Sequence, residues 1–343
     1  MRPTLAHALR AGLLGAALLV SWGPSASYAA QPAQPHDSAM LTLVAYSTPR
    51  EAYAALIPAF QKTPAGHGVH FQTSYGGSGE QSRAVAAGLP ADIVAFSLEP
   101  DITRLVKAGL VARDWNKDRF RGLVTDSVVV LAVRPGNPKH IHTWTDLLKP
   151  GVEVITPNPF TSGGARWNVM AAYGAQLRQG TPPRAAVAYL RALFSHVSVQ
   201  DKSARESLQT FADGKGDVLI AYENEAITAQ HKGVKLQYII PAQTILIENP
   251  IAVTTTTAHR VQARAFVNFL WTPTAQRLFG EKGYRPVLAS VAKGFSYRRP
   301  PGLFTITSLG LGGWTSVTTR FFDPRNGIVA QIERERGVGV GSR

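Results

Sequence analysis

Asn158-Pro159-Phe160-Thr161-Ser162-Gly163-Gly164-Ala165-Arg166-Trp167 joins the end of an extended segment to the start of a helix. Val152-Glu153-Val154-Ile155 before it reads as a strand, Pro157 and Pro159 stop that strand, and 165–177 reads as an amphipathic helix. Thr161 and Ser162 are good N-caps, and strand, glycine turn and capped helix together form the repeating unit of an α/β fold. The same junction is an anion cradle, because the first N–H groups of a helix lack intrahelical partners and the positive end of its dipole faces whatever lies before Ser162. An ordinary cap leaves the same signature, so the stretch alone does not separate the two.

Outward from this junction the alternation continues. Downstream, 183–194 reads as helix, 197–199 as strand, 204–211 as helix and 217–222 as strand; 238–241, 244–247 and 251–254 are extended, and 263–271 and 273–280 are helical. Upstream, 127–133 is the strongest strand in the chain, 145–148 is a short helix, and 41–46, 49–60, 69–73, 92–96 and 100–108 alternate strand with helix. Such alternation predicts a largely parallel sheet with helices on both faces, and ligands of open α/β sheets bind outside the carboxyl ends of the strands. A second glycine turn sits at one of those ends. Ser74-Tyr75-Gly76-Gly77-Ser78-Gly79-Glu80 follows the 69–73 strand and opens a helix with a serine, so it is either a second cradle or a surface loop.

The first thirty residues carry Arg2 and Arg10, an apolar run over 11–20 and a small-residue end at Ser25-Ala26-Ser27-Tyr28-Ala29-Ala30, the pattern of a secretory signal peptide. Export to a periplasm follows, and the absence of cysteine excludes both a disulfide and a lipidated cysteine anchor. About 310 residues remain, enough for two domains with real cores. The formal charge of +14 loses two units with Arg2 and Arg10 and still suits an anionic partner. Nucleic acid is not expected, because the basic residues are scattered without interleaved aromatics.

Other chemistry is sparse. His67, His70, His140 and His142 have no Asp or Glu at zinc-site spacing, so no metal and no cofactor is expected. Glu223 and Glu225 flank Asn224 at a strand end, either as an acid–base pair or as hinge or transporter contacts. A serine hydrolase would use Ser162 as nucleophile and the Gly163 and Gly164 N–H groups as oxyanion hole. That reading lacks a Gly-x-Ser-x-Gly elbow and a histidine with a claim to be the base, so a binding protein rather than an enzyme is expected.

Tyr75-Gly76-Gly77-Ser78-Gly79, Gly136-Asn137-Pro138-Lys139, Lys149-Pro150-Gly151-Val152, the 155–167 junction, Gly216-Asp217-Val218-Leu219-Ile220-Ala221-Tyr222-Glu223-Asn224-Glu225, Gly283-Tyr284-Arg285-Pro286 and Gly312-Gly313-Trp314 together resemble the sulfate-binding protein family of ABC importers, in order and spacing. The resemblance spans nearly the whole chain after the signal peptide. It implies the two-lobed type II periplasmic-binding-protein fold, with each lobe a mostly parallel sheet flanked by helices and the ligand in the cleft between them. Signal peptide 1–30, lobe I from 40–127 plus 253–336, lobe II from 128–252 and a flexible tail at 337–343 are the corresponding boundaries, with 127–133 and 244–253 as crossover strands.

The resemblance also implies a role for each matching position. Desolvated sulfate, or thiosulfate, would be held by neutral donors and delivered by a monomer to the membrane permease subunits of an ABC importer. Ser78 matches a donor of the first cradle, Ser162 a hydroxyl, Gly163 and Gly164 backbone N–H groups, and Ala204 after Ser203 a further backbone donor. Two positions depart from the pattern. Tyr222 stands where the family usually has a tryptophan whose indole N–H reaches the anion, and Ser47 where it usually has an aspartate. A phenol replaces one donor, or else Tyr222 is a buried strand residue satisfied elsewhere; Ser47 still offers its backbone N–H. A different tetrahedral oxyanion, molybdate, tungstate or phosphate, is the alternative ligand.

Overall fold

The computed structural model describes residues 38–340; the expected signal peptide and the end of the expected tail lie outside them. In chain order the elements are β1 (Ala39–Tyr46), α1 (Arg50–Gln61), β2 (Val69–Gly76), α2 (Ser78–Ala86), β3 (Ile93–Ala95), α3 (Glu99–Lys107), β4 (Leu123–Val133), β5 (Val154–Ile155), α4 (Gly163–Arg178), α5 (Pro183–Ser195), β6 (Val197–Val199), α6 (Ala204–Ala212), β7 (Val218–Tyr222) and α7 (Glu223–His231). They continue with β8 (Gln237–Ile239), β9 (Gln243–Val253), α8 (Arg260–Leu270), α9 (Pro273–Glu281), β10 (Arg285–Pro286), α10 (Ala289–Ala292), β11 (Gly302–Phe304), α11 (Gly313–Phe322) and α12 (Ile328–Glu335). The expected short helix at 145–148 is a 3₁₀ turn.

Strand order is β2-β1-β3-β9-β4-β7-β5-β6. β1 runs parallel to β2 and β3, and β5 parallel to β6 and β7, as crossover through a helix requires. Between these halves lie the two long strands β4 and β9, antiparallel to each other. β9 pairs β4 over Leu246–Pro250 and then β3 over 251–253, while β4 leaves β9 after Val128 and pairs β7 over 129–133. Each strand therefore belongs to both halves, which is the crossover arrangement of the two-lobed type II fold. Pro250 divided this region into two extended runs in the sequence; in the structure it sits inside β9 where pairing with β4 slips between Leu123 and Thr125, so its missing N–H breaks no regular ladder.

The buried side chains follow the same division. Leu41, Leu43, Tyr53, Phe60, Phe266 and Phe279 form one core around β1 and β3, with Phe96, Ile102 and Leu105 on the opposite face. Leu131, Trp144, Trp167, Tyr173 and Leu190 form another, with Val130, Phe211 and Leu219 opposite. Two expectations change here. Helix α4 is not amphipathic: Gly163 through Gln176 are all buried, because the helix is enclosed by α5, β9 and the C-terminal helices. Of the 253–336 stretch expected in lobe I, the part through Tyr284 packs with the first half, but Phe304, Trp314, Phe321 and Ile332 complete the α4 core instead, and the Trp314 ring meets Trp167 edge-on at 4.8 Å. An apolar helix needs cover on every side, and α11 and α12 supply what α5 and the sheet leave open.

Candidate functional site

Each half directs the carboxyl ends of its parallel strands at the other. In the first half Ala45 is level with Tyr75 and Ala95, so the chain leaves β1, β2 and β3 at Ser47, Gly77 and Ser97, each two residues beyond that level. Gly77 is the N-cap of α2 and Ser78 its first residue. In the second half Ser162 is the N-cap of α4, Ser203 that of α6 and Tyr222 that of α7. Four helix starts thus face one region, each presenting N–H groups without intrahelical partners and the positive end of a dipole.

Glycine is required where these turns meet. A Cβ on Gly163 would lie 2.8 Å from Ser97 Cβ, and one on Gly77 would lie 2.7 Å from the Thr161 carbonyl oxygen. The Gly164 Cα is ringed by the other expected groups, its Cβ direction pointing to Ser162 Oγ at 3.3 Å, Ala204 Cβ at 3.4 Å and Tyr222 Cε1 at 3.7 Å. Ser162, Gly163, Gly164, Ala204 and Tyr222 are therefore one cluster. Ser78 joins it through Ser97, whose N–H donates to Ser78 Oγ at 3.0 Å while its hydroxyl is hydrogen-bonded to the Tyr222 hydroxyl at 2.6 Å. Ser47 is buried at the same strand-end level, but among the described residues no hydrogen bond ties its hydroxyl to the other six.

Ser97 is the residue that the sequence reading passed over. It holds both halves, accepting the Trp167 indole N–H at 2.8 Å and the Asn249 amide at 3.0 Å on its carbonyl oxygen. Its signal was present, since it directly follows the buried 92–96 strand, as Ser47 and Gly77 follow theirs.

Hydroxyl roles differ from those expected. Ser162 occupies the N-cap, yet its side chain makes no capping hydrogen bond, so it remains free as a donor. The Ser78 hydroxyl is engaged, donating to Asp101 Oδ2 at 2.7 Å, which leaves the backbone N–H as what Ser78 offers. Tyr222 is almost fully buried and its phenol is already paired with Ser97; burial pushes that hydroxyl well above its ordinary pKa, so it stays protonated.

Charges stand one step behind the cluster. Asp101 receives Arg104 Nη1 at 2.9 Å as well as Ser78. Glu223 and Glu225 do not end a strand but open α7. Glu223 takes a two-pronged contact from Arg285 at 2.7 and 3.1 Å, and Glu225 Oε2 accepts the Tyr222 N–H at 3.4 Å at the start of the helix. Burial raises Glu225 to about 7 against the pull of Arg205. Burial also pushes Glu51 up, but hydrogen bonds from Arg205 and Lys232 outweigh it and hold that carboxyl below the usual range. Glu51 on α1 thereby links to α6 and α7, and the Glu80 N–H donates to the Thr161 carbonyl at 3.2 Å, so the halves meet along both rims. Among the described residues no group of His, Asp and Glu is placed to hold a metal ion.

A cluster of neutral donors at facing strand ends of a two-lobed α/β fold is the geometry of a solute-binding cleft. Residues 41–285 match the profile of the family described as bacterial extracellular solute-binding protein.

The chain belongs to that family.

Among the relatives of this solute-binding protein, the sulfate-binding protein of Synechococcus elongatus is 44% identical over 291 residues, covering 82% of this chain and 83% of the relative. The thiosulfate-binding protein of Pseudomonas aeruginosa is 34% identical over 335 residues, covering 94% and 97%. Among solved structures, the sulfate-binding protein SubI from Mycobacterium tuberculosis H37Rv superposes with a TM-score of 0.81 at 48% identity, covering 83% of this chain and all of that one.

Proposed function

We propose that this solute-binding protein captures inorganic sulfate, or thiosulfate, in the cleft between its halves and delivers it to the permease subunits of an ABC importer. It works as a monomer in the periplasm after its N-terminal signal peptide is removed, and it turns nothing over. The observation that carries the reading is the ring around Gly164: a free serine hydroxyl, a helix start and a phenol from separate loops surround one backbone, with no charged side chain among them.

Ser162 contributes its hydroxyl, Gly163, Gly164, Ala204, Ser78 and Ser47 their N–H groups, and Tyr222 its phenolic hydrogen. Ser97 completes this last contact, because when its hydroxyl donates to the phenol oxygen the Tyr222 hydrogen is left for the anion. Charge-assisted hydrogen bonds of this kind contribute about 1.5–3 kcal/mol each, so several neutral donors suffice without a lysine or arginine.

The donor set also selects. Sulfate and thiosulfate carry no proton at neutral pH and offer only acceptors, whereas hydrogen phosphate must donate. The nearest carboxylates are engaged, Asp101 by Ser78 and Arg104 and Glu225 by the Tyr222 N–H, so the phosphate proton finds no acceptor. Supporting this reading are the family match and the sulfate- and thiosulfate-binding relatives. Calorimetric titration of dialysed protein with sulfate, thiosulfate, molybdate, tungstate and phosphate tests it. Sulfate or thiosulfate binding at least tenfold more tightly than the other three is expected, and a preference for molybdate or phosphate would overturn it.

A further inference from the structure

Behind the cleft, the first turn of α4 reaches a second cavity of about 270 Å³, lined by Arg83 of α2, Arg104 of α3, Arg166 of α4, and Thr318, Phe322 and Asp323 from the C-terminal segment. Arg166 is 7% exposed. Its Nε donates to the Pro159 carbonyl at 2.9 Å and its guanidinium lies 5.1 Å from the centre of the Phe322 ring, but Nη1 is buried without a partner. Thr318 Oγ1, on the wall of the same cavity, is also buried without one. Unpaired buried polar atoms are rare in native proteins because each costs its full desolvation, more so for a charged group. Two of them on one wall need a common explanation.

The charges have the same gap. Arg104 is neutralised by Asp101 at 2.9 Å, and Arg83 Nη1 donates to the Phe160 carbonyl at 3.1 Å. Asp323 spends one carboxylate oxygen on its own turn, accepting the Arg325 and Asn326 N–H groups at 3.0 and 2.8 Å. No carboxylate among the described residues forms an ion pair with Arg83 or Arg166. Burial, with Arg104 and Arg83 adding to it against the pull of Asp101, lowers the Arg166 pKa to about 10; Arg83 is lowered by its own burial and by Arg104. Arg83 and Arg166, neither in an ion pair, thus share one cavity with the paired Arg104, and Asp323 on its wall leaves a surplus of positive charge that an anion would balance.

We propose that this cavity is a second anion site, separate from the cleft, that binds a phosphate-class oxyanion through Arg83, Arg104, Arg166 and the Thr318 hydroxyl. A planar guanidinium presents paired N–H donors that match phosphate oxygens, and Arg166 Nη1 has no competing acceptor. Unlike the cleft, this cavity has one carboxylate on its wall, so a protonated phosphate oxygen has a partner in Asp323. The volume exceeds that of a bare tetrahedral ion, whose size is on the order of a few water molecules at about 30 Å³ each, and leaves room for the organic part of a small phosphate monoester.

The test uses the full mature chain at low ionic strength, titrated with inorganic phosphate and with glycerol 3-phosphate while arginine Nε–H and glycine amide NMR signals are followed. Shifts at Arg83 and Arg166 with Gly163 and Gly164 unmoved are expected, and the tighter of the two probes tells whether the free ion or the ester is preferred. Raising the salt from about 20 to 200 mM should weaken this binding severalfold, since guanidinium–anion attraction at a water-accessible site is screened. Thr318→Asp, which puts a carboxylate against the guanidiniums, should lose on the order of tenfold or more, and Arg83→Gln should weaken it to a smaller extent. Movement of Gly163 and Gly164 instead would place phosphate in the cleft and overturn both this inference and the proposed selectivity. No shift with either probe, or binding indifferent to both substitutions, would overturn this inference alone.

Discussion

The cleft around Gly164 and the cavity around Arg166 are reached from two residues of the same helical turn, yet their electrostatics are opposite. Next to Gly164 stand the Ser162 hydroxyl, the start of α6 and the Tyr222 ring, with Asp101 and Arg104 held farther out behind Ser78. Around Arg166 there are three guanidiniums, with the Thr318 and Thr319 hydroxyls and the Asp323 carboxylate on the same wall. Neutral donors set in a rigid backbone reward an anion only when its oxygens and its protonation match their positions. Guanidiniums reward negative charge first and shape second, so their affinity falls with salt. A protein that must take one oxyanion from a mixture therefore benefits from keeping its arginines out of the selecting site.

The largest effect expected from breaking the cleft is at Gly163. Gly163→Ala forces a Cβ to within 2.8 Å of Ser97 Cβ, where neither backbone can give way easily. Overpacking of this kind costs about 1–3 kcal/mol, which corresponds to a loss of roughly five- to 150-fold in sulfate affinity in calorimetry, while the Arg166 cavity keeps its response to phosphate. Retained sulfate affinity would mean that the two halves do not need to close at this point.

Next come the hydroxyls. Tyr222→Phe and Ser97→Ala should each cost on the order of tenfold, and the double mutant should cost little more than either alone, because the two residues serve one hydrogen-bonded chain to the anion. Additive losses would show that they act separately. Ser162→Ala should also lose about tenfold in affinity but leave the melting temperature within about 2 °C of the wild type, because the hydroxyl does not cap α4. A large drop in stability would restore the capping role that the sequence suggested.

The smallest effect concerns pH. Glu225 is raised to about 7 by burial, facing Arg205 as its attracting charge and Glu51 as its repelling one. Below that pH it is neutral beside the cleft; as pH rises through 7 it ionises and repels the bound anion. Sulfate affinity is therefore expected to fall about two- to threefold between pH 6 and 8, and Glu225→Gln should flatten the profile near its low-pH value. The stability linkage has the same direction: a raised carboxyl contributes stability fully below the unfolded carboxylate pKa of about 4.3 and loses it as pH climbs to 7, so Glu225→Gln should raise the melting temperature at pH 8 and leave it near the wild type at pH 4. A flat wild-type profile would place Glu225 too far from the anion to matter.

What the sequence by itself determined was local. Runs such as Val128-Val129-Val130-Leu131 and turns such as Gly77-Ser78 or Ser162-Gly163 set strands, helix starts and free N–H groups, because alternation, capping and backbone freedom act within a few residues of chain. Most strand and helix positions from β1 to α9 follow from that, α7 excepted, whereas the elements after α9 do not, and Ala204 and Tyr222 are indicated only by the resemblance to a known family. Only the tertiary structure decided which polar groups remained available. Ser78 has its hydroxyl taken by Asp101 from twenty-three positions away, Tyr222 finds Ser97 across 125, and the α4 helix is buried on all sides because a C-terminal segment folds back over it. The same folding-back joins Arg83, Arg104 and Arg166 from three helices around one cavity. Hydrogen bonds and like charges are settled by distance in space, and distance in space between residues far apart in the chain is what a linear sequence does not write down.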